Sequence, residues 1–328
     1  MLPWRRLQPS PGSRILICLH PMHWLTEDDV RKRLQPRQVI AAIEAAFRDR
    51  YCSTVIPARS HMNLAGGVFL IMPCYDREGK ALGMKLAMVQ NQPKTPEGRV
   101  QATYMLLEPR SAQPVLIVPA NYLTDIRTAS TSAVATKFLA REDVRVLGVF
   151  GTGREARAHI QVLPLVRRFE RVLVCGRDVG ASRKFAQAMS SEMNLAIEAA
   201  DARTCAAESD VICTCTTSHT PLFEGKVLRS GTHLNLVGAF QPHAREVDSA
   251  TLQRARVFVE TYDGVLAMAG DLLIPILEGI IARESIAGDL HELVSRKKRG
   301  RIDDGTITLF KSVGCALEDL ATAELLSA

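Results

Sequence analysis

One glycine-rich stretch constrains the fold of this 328-residue chain more than any other feature. Residues 144–159 read VRVLGVFGTGREARAH, an apolar run followed by G-x-G-x-x-A and a helical sequence. In this pattern one glycine permits a tight turn after a strand, a second lets the backbone approach a pyrophosphate, and a small third residue lets the helix pack on the strand. The helix start offers unpaired N–H groups to phosphates. The stretch predicts a dinucleotide-binding turn, with a turn that binds nothing as the alternative.

Strands and helices alternate after this turn, which is typical of a parallel sheet. Strands are predicted at 144–150, 171–175, 196–200, 210–216, 233–238 and 256–260, and helices at 157–166 and 181–193. Before the turn, a helix capped by Thr26 and a second helix at 38–50 lead into a mostly antiparallel sheet. Its strands are predicted at 57–62, 67–73, 81–88, 102–107 and 114–118, with turns at 76–80 and 93–98.

Two further helices complete the predicted organisation. A helix at 130–139 joins the two regions, and 306–326 reads as one long helix that returns to the first region. The predicted fold class is α/β, a Rossmann-type doubly wound parallel sheet inserted in an α+β substrate-binding and dimerisation domain. The expected divisions are an N-terminal extension at 1–23, the α+β domain at 24–127 plus 302–328, and the nucleotide-binding domain at 128–301. Residues 1–21 are expected to be poorly ordered or to lie upstream of the true start.

The composition is that of an ordinary globular protein, with 47% hydrophobic and 23% charged residues and a net charge of +6. The basic run at 296–299 reads as a solvated helix end, since no aromatic platform or nucleic-acid motif accompanies it. The 8 cysteines form neither C-x-x-C pairs nor clusters with zinc spacing, so no metal site is predicted. They are interpreted as thiols of a protein in the reducing cytoplasm. No membrane contact is predicted.

The residues after the second parallel strand bear on the choice of cofactor. NAD-specific sites place a carboxylate at the end of this strand, but here Gly176 and Arg177 occupy that place. A guanidinium suits a 2′-phosphate, and Arg177 therefore favours NADPH. Asp178 could serve a ribose instead, which keeps NADH as the alternative, and a solvated turn is the third interpretation.

Three cations stand out in the first region. Lys85 lies in an apolar strand, where a buried ammonium is costly unless it meets an anion, although a lysine on the solvated face is the simpler interpretation. Arg127 precedes the hydroxyl-rich residues Thr128 and 130–132, which could cap the following helix and leave its N-terminus to hold a phosphate or a carboxylate. Arg59 follows a Pro-Ala pair at the start of a predicted strand.

With these residues the chain resembles the ornithine cyclodeaminase/μ-crystallin family from about Trp24 onward. The matching motifs are PAR at 57–59, MP at 72–73, MKL at 84–86, RTA at 127–129, ATKFL at 135–139, GTG at 151–153, VGA at 237–239, GD at 270–271, FKSVG at 310–314 and ED at 318–319. The resemblance implies a homodimer with joined antiparallel sheets and an inserted nucleotide-binding domain. It also implies that Arg59, Lys85 and Arg127 hold a substrate carboxylate beside a nicotinamide, and these three are the predicted catalytic residues.

Within this family, one position separates the chemistries. Cyclodeaminases carry an aspartate soon after the Val-Gly at 237–238, whereas this chain has Phe240, which cannot accept a proton from an ammonium. The departure favours a reductase acting on Δ1-pyrroline-2-carboxylate to give L-proline, or on Δ1-piperideine-2-carboxylate to give L-pipecolate. The alternatives are an ornithine cyclodeaminase or an alanine dehydrogenase on the same scaffold, and a non-catalytic, NADPH-regulated binding protein of the crystallin type.

The expected contacts complete the prediction. Phe240 and His243 are predicted to contact the substrate, with His243 as a candidate proton donor and a solvated residue as the alternative. The predicted cofactor contacts are Arg127, Thr128, Gly151, Thr152, Gly153, Arg154, Glu155, Ala156, Gly176, Arg177, Thr214, Cys215, Thr216, Val237, Gly238 and Ser312. The only other expected partners are a small cyclic imino acid and a second copy of the chain, with no nucleic acid.

Overall fold

The structure, a computed structural model, describes residues 23–91 and 99–327. The predicted turn at 93–98 and the expected N-terminal extension at 1–23 lie outside these residues, except for His23, which belongs to a strand. Within the described ranges, no helix combines the length and the apolar character that a membrane span requires. The described cysteines are all free thiols. No group of three or more His, Cys, Asp or Glu side chains within the same ranges is arranged to hold a metal ion.

The first region forms a mostly antiparallel sheet, as predicted, but with seven strands, two more than expected. Its strands are β1 (His23–Trp24), β2 (Thr54–Val55), β3 (Ser60–Leu64), β4 (Gly67–Asp76), β5 (Ala81–Gln90), β6 (Val100–Leu107) and β7 (Pro114–Pro119). They pair in the order β1-β7-β6-β5-β4-β2, with β3 also on β4, and only β1 runs parallel to its neighbour. On β4 to β7 every second residue is buried, so one face of the sheet packs on the core.

The two predicted leading helices are confirmed as α1 (Glu27–Arg33) and α2 (Pro36–Ala45). Thr26 caps α1 in a capping box, since its hydroxyl accepts from the Asp29 N–H and its own N–H donates to the Asp29 carboxylate. Residues 46–50 continue α2 as a wider π-helical turn. This turn accounts for the predicted end of the second helix at residue 50.

The connecting helix α3 (Asn121–Leu139) begins nine residues earlier than predicted. Arg127 therefore lies inside a helix, and the prediction that residues 128–132 cap a helix N-terminus that holds an anion is wrong. The hydroxyls of Thr124, Thr128 and Thr131 instead donate to the carbonyl four residues earlier. Because α3 is buried on almost every side, its sequence lacks the apolar stripe by which a helix is recognised.

The second sheet has eight strands, all parallel, which confirms the Rossmann-type prediction. They are β8 (Val146–Phe150), β9 (Arg171–Cys175), β10 (Ala196–Ala199), β11 (Val211–Thr214), β12 (His233–Leu236), β13 (Ala255–Val259), β14 (Ile286–Asp289) and β15 (Ile307–Lys311), in the order β10-β9-β8-β11-β12-β15-β13-β14. The remaining helices are α4 (Arg154–Val162), α5 (Val179–Met193), α6 (Ala202–Glu208), α7 (Ser249–Arg254), α8 (Tyr262–Met268), α9 (Gly270–Leu277), α10 (Leu290–Val294) and α11 (Ala316–Glu324).

The last segment differs from its prediction. Instead of one helix at 306–326, it contains strand β15, a break at Gly314 and the shorter helix α11. Strand β15 lies between β12 and β13 in the parallel sheet, whereas α11 packs on α3 and on β4, β5 and β6 of the first region. Residues 307–311 are therefore counted with the parallel sheet, and the predicted division of the chain into domains stays a prediction.

Candidate active site

The glycine-rich turn between β8 and α4 has the geometry of a phosphate-binding turn. Gly151 has a φ of +121°, and a Cβ there would lie 2.6 Å from the Cys215 carbonyl oxygen, so the position requires glycine. A Cβ on Gly153 would meet no atom within 4 Å, and no side chain caps the α4 N–H groups that begin there. Ala156 is fully buried against the sheet. The open space above uncapped N–H groups fits the pyrophosphate of a dinucleotide.

The turn after β9 presents Arg177 to solvent beside this glycine turn. A Cβ on Gly176 would lie 2.9 Å from the Thr152 methyl carbon, so the two turns are in close contact. Asp178, the alternative ribose ligand, caps α5 by accepting from the Ala181 N–H at 2.6 Å. One carboxylate oxygen of Asp178 is thereby occupied, and Arg177 is the charged side chain that stays available at the end of β9.

A cavity of about 200 Å³ lies between the first sheet and the carboxyl ends of the parallel strands. It brings together residues that are far apart in the sequence, which is the usual location of a ligand site in such folds. The predicted residues that line it are Arg59, Lys85, Arg127, Thr128, Glu155, Cys215, Thr216, Val237, Gly238, Phe240 and Ser312. Its other walls are largely apolar, formed by Leu70, Met72, Ala87, Val89, Val100 and Val313.

Some predicted residues lie outside this lining. His243 is exposed and stacks on His219 at 5.4 Å between ring centroids, so this position does not support its predicted contact with substrate. Arg154 is turned toward α3, where its guanidinium pairs with Asp125 at 3.1 Å. Thr214 is fully buried and donates to Glu246. The roles predicted for these residues stay predictions.

Lys85 and Arg127 are both buried, and carboxylates of α11 pair with both. Lys85 Nζ lies 2.8 Å from Asp319 Oδ1, and Arg127 Nε lies 2.9 Å from the same oxygen. Arg127 Nη1 also donates to Glu318 at 2.6 Å. Burial and the nearby Arg127 lower the pKa of Lys85 to about 8, although Asp319 opposes the shift. The solvated position that was the simpler interpretation of Lys85 is therefore wrong.

Arg59 differs from the other two cations because no carboxylate of residues 23–91 and 99–327 lies within 4.0 Å of it. Its Nη2 donates to the carbonyls of Val313 and Gly314, at 2.8 and 2.7 Å. Burial lowers the pKa of its guanidinium, which nevertheless keeps its charge at neutral pH. Arg59 thus brings to the cavity wall a positive charge without a direct carboxylate partner among the described residues, although Glu260 and Asp319 act on it from farther away.

A buried carboxylate that the sequence did not single out arranges the floor of the cavity. Glu246 accepts five hydrogen bonds of 2.7 to 3.0 Å from Thr214 Oγ1, from the N–H and hydroxyl of Thr216, and from the N–H groups of Gly238 and Ala239. Burial and the neighbouring Asp271 raise its pKa. These bonds fix the ends of β11 and β12, and two of the bonded residues, Thr216 and Gly238, line the cavity.

Asp271 and Lys311 extend this arrangement across the sheet. Asp271 accepts from the Glu246 N–H at 2.7 Å and pairs with Lys311, whose ammonium lies 2.9 Å away and also donates to the Ala239 carbonyl. All three charged side chains are fully buried. In the sequence, Asp271 and Lys311 were visible only as parts of family motifs, and nothing local marked Glu246.

Comparison with known proteins places this geometry in context. Residues 22–327 match the sequence profile of the ornithine cyclodeaminase/mu-crystallin family. A Δ1-pyrroline-2-carboxylate reductase of Bacillus cereus is 33% identical over 308 residues, covering 92% of this chain and 94% of the relative. The Δ1-pyrroline-2-carboxylate reductase of Thermococcus litoralis, solved with NADH and L-proline, superposes with a TM-score of 0.88 at 34% identity, over 93% of this chain and 96% of that one. An archaeal alanine dehydrogenase dimer with bound NAD gives a TM-score of 0.87 at 25% identity, over 93% and 94%.

Proposed function

The chain belongs to the ornithine cyclodeaminase/mu-crystallin family, and from this premise we propose that it reduces a cyclic imino acid with a reduced nicotinamide cofactor. The proposed reaction converts Δ1-pyrroline-2-carboxylate into L-proline, and Δ1-piperideine-2-carboxylate into L-pipecolate as a close relative. The observation that carries the proposal is the cavity where Arg59, without a direct carboxylate partner among the described residues, faces apolar walls beside the glycine turn. A compact ring that bears one carboxylate complements this charge and shape.

Different side chains contact the carboxylate and the ring of the substrate in this proposal. Arg59 binds the substrate carboxylate, because the carboxylates of α11 already neutralise much of the charge of Lys85 and Arg127. Those two cations border the same space and orient the carboxylate from the other side. Phe240 and Met72 bound the space left for the ring. These contacts fix the imine carbon next to the hydride donor, so the bimolecular reaction becomes effectively unimolecular.

The nucleotide binds along the glycine turn in this proposal. The uncapped N–H groups of α4 hold the pyrophosphate, and the nicotinamide reaches the cavity at Thr216, Val237 and Gly238. When bound there, a reduced nicotinamide supplies the hydride. We propose NADPH as the preferred form, because Arg177 is exposed at the end of β9 while Asp178 caps α5.

The cavity is less suited to the alternative functions than to imine reduction. Ornithine would bring a second, distal ammonium beside Phe240, and a phenyl ring at this position cannot replace its hydration. A binding protein without turnover does not require three cations around one cavity. The bound NAD of the alanine dehydrogenase relative keeps amino-acid dehydrogenation as the second candidate.

We also propose a homodimer in the cytoplasm. The exposed strand β3 carries Met62 and Leu64 on one side, with 55% and 45% of their surfaces exposed, and Trp24 of β1 is 64% exposed. Such apolar side chains at a sheet suit coverage by a second copy. Light scattering at micromolar concentration checks this, and an active monomer would contradict it. The cytoplasmic location follows from the diffusible cofactor that the reaction consumes.

The deciding experiment is a steady-state assay of both cyclic imines with NADPH and with NADH. We expect imine-dependent oxidation of the cofactor and formation of L-proline or L-pipecolate. In parallel, the protein is incubated with L-ornithine and NAD, and ammonia is measured. Ammonia release with proline formation, and no imine reduction, would move the protein to the cyclodeaminases.

A further inference from the structure

Among the described residues, Glu155 is the one carboxyl group that lines the cavity, although the sequence related it only to the glycine turn. It is the second residue of α4 and shares the lining with Thr124, Arg127 and Cys215. Its Oε2 is shielded from solvent and has no hydrogen-bond partner among residues 23–91 and 99–327. A buried carboxylate oxygen without a donor is costly, whereas a protonated carboxyl can donate to a ligand in the cavity.

The charges around Glu155 favour the protonated form. Asp125 of α3 adds a second negative charge, which raises the pKa of Glu155. Arg127 of α3, Arg154 of α4 and Lys85 of β5 lower this pKa. These three cations are already paired with other carboxylates, namely Glu318, Asp319 and Asp125. Burial and Asp125 therefore prevail and raise the pKa of Glu155 to about 8.

The other neighbours of Glu155 do not supply a compensating charge. The buried ring of His159, one turn along α4, is uncharged at neutral pH because burial lowers its pKa to about 4. Its Nδ1 donates to the Glu155 carbonyl rather than to the carboxyl group. Cys215, just after β11, stays a thiol because burial raises its pKa. Glu155 thus enters the cavity as a neutral acid.

The proposed reaction needs such an acid. Reduction of an imine adds a hydride to the ring carbon and a proton to the ring nitrogen. His243, the proton donor considered from the sequence, lies outside the cavity lining. One cavity wall, the start of α4, contributes both the nucleotide turn and Glu155. In the binding mode proposed above, an acid on this wall would lie near both the nicotinamide and the substrate.

We propose that Glu155 is the proton donor to the imine nitrogen, an inference that rests on the proposed reductase function. The O–H bond of Glu155 breaks and an N–H bond forms, while the carbon of the C=N bond receives the hydride of the reduced nicotinamide. The double bond becomes single, the nicotinamide is oxidised, and the imino acid becomes the cyclic amino acid. The carboxylate left on Glu155 lies near Lys85 and Arg127 and regains its proton from water.

Substitution of Glu155 by glutamine tests the proton without changing the shape of the side chain. We expect Glu155→Gln to lower kcat about 100-fold, the scale of general acid catalysis, with KM for the imine changed less than threefold. In the wild type kcat should fall above about pH 8, and this fall should disappear in the variant. The matched control is Glu192→Gln, an exposed glutamate that pairs with Arg157 on α4 and should leave kcat unchanged. Glu155→Asp keeps an acid and should retain the alkaline fall at a reduced rate.

A second measurement determines the protonation state of Glu155 directly in the cofactor-free protein. The carboxyl carbons of 13C-labelled glutamate are titrated by NMR, and the resonance missing in Glu155→Gln identifies this group. We expect a midpoint near pH 8, and a midpoint in the range of exposed glutamates would overturn the inference. An alkaline fall that persists in Glu155→Gln would transfer the role to Lys85 and also overturn it.

The outcomes separate the inference from the function on which it rests. If the wild type reduces a cyclic imine and Glu155→Gln does so equally well, the inference alone fails. If the wild type reduces neither imine, the proposed function fails and the inference fails with it.

Discussion

Removal of the Asp319 charge tests how far this carboxylate stabilises the buried cations Lys85 and Arg127. Asp319 Oδ1 lies 2.8 Å from Lys85 Nζ and 2.9 Å from Arg127 Nε, and all three side chains are buried. At an effective dielectric constant of about 20, each contact corresponds to about 6 kcal/mol of Coulomb attraction before the cost of desolvation. Asp319→Asn keeps the shape but leaves both cations buried with less negative charge. Loss of one partner of a buried pair typically costs about 3–5 kcal/mol.

We therefore expect Asp319→Asn to lower the free energy of unfolding by about 4 kcal/mol, measured by urea denaturation. The variant should also bind the imine less well at neutral pH. Burial already lowers the pKa of Lys85 to about 8, and loss of Asp319 removes the group that opposes this shift. Part of the Lys85 population would then lose its proton, which should appear as a higher KM that falls again toward lower pH.

Two controls make this result interpretable. Asp49→Asn breaks an exposed ion pair with Arg48 and should leave the urea midpoint unchanged. The double variant Lys85→Met/Asp319→Leu replaces part of the buried charge by apolar packing, and it should regain stability without activity. An Asp319→Asn protein with the wild-type urea midpoint would refute the view that these cations depend on α11.

Three further predictions follow from single side chains. Burial lowers the pKa of His159 to about 4, below its unfolded value, so its contribution to stability is present above about pH 6.5 and is lost as the pH falls toward 4. His159→Gln should therefore weaken the acid dependence of the unfolding free energy by about 3 kcal/mol, and an unchanged dependence between pH 4 and 6.5 would contradict this. Arg177→Asp should shift the ratio of kcat/KM toward NADH, and a retained preference for NADPH would show that this side chain does not discriminate. Phe240→Asp should weaken imine reduction by at least tenfold because it places a charge against the ring, and wild-type rates would exclude Phe240 from the substrate wall.

Periodicity and turn chemistry were sufficient to predict most of the fold. The glycine turn at 151–153 lies between β8 and α4 as expected, and the alternation around it produced the parallel sheet. The prediction was wrong at α3, because a helix buried on almost every side shows no contrast between a polar and an apolar face, and its hydroxyls resemble caps. It also failed at β15, whose apolar residues at 307 and 309–310 fit a helical face as well as a central strand.

The candidate site was predicted in part for a related reason. Arg59, Lys85 and Arg127 were found because cations in apolar surroundings, together with family motifs, are visible in a sequence. Their partners were not, since the pairing of Lys85 with Asp319 joins residues 234 positions apart. Glu246 was missed because its five hydrogen bonds depend on how three chain segments meet. Long-range charge pairing of this kind requires the fold.

The position of β15 has a consequence for how the chain folds as it is made. Strand β15 pairs with β12 on one side and with β13 on the other. The two parts of the parallel sheet therefore cannot be joined until residues 307–311 have been synthesised. The carboxylates that accompany Lys85 and Arg127 follow later still, on α11. Until then the parallel sheet of the nascent chain is in two parts, β10-β9-β8-β11-β12 and β13-β14, and the cations lack their partners. The open strand edges favour aggregation. Loss of residues 307–327 would thus leave the parallel sheet in two parts and remove α11 from the first sheet, so this segment is needed to complete the fold.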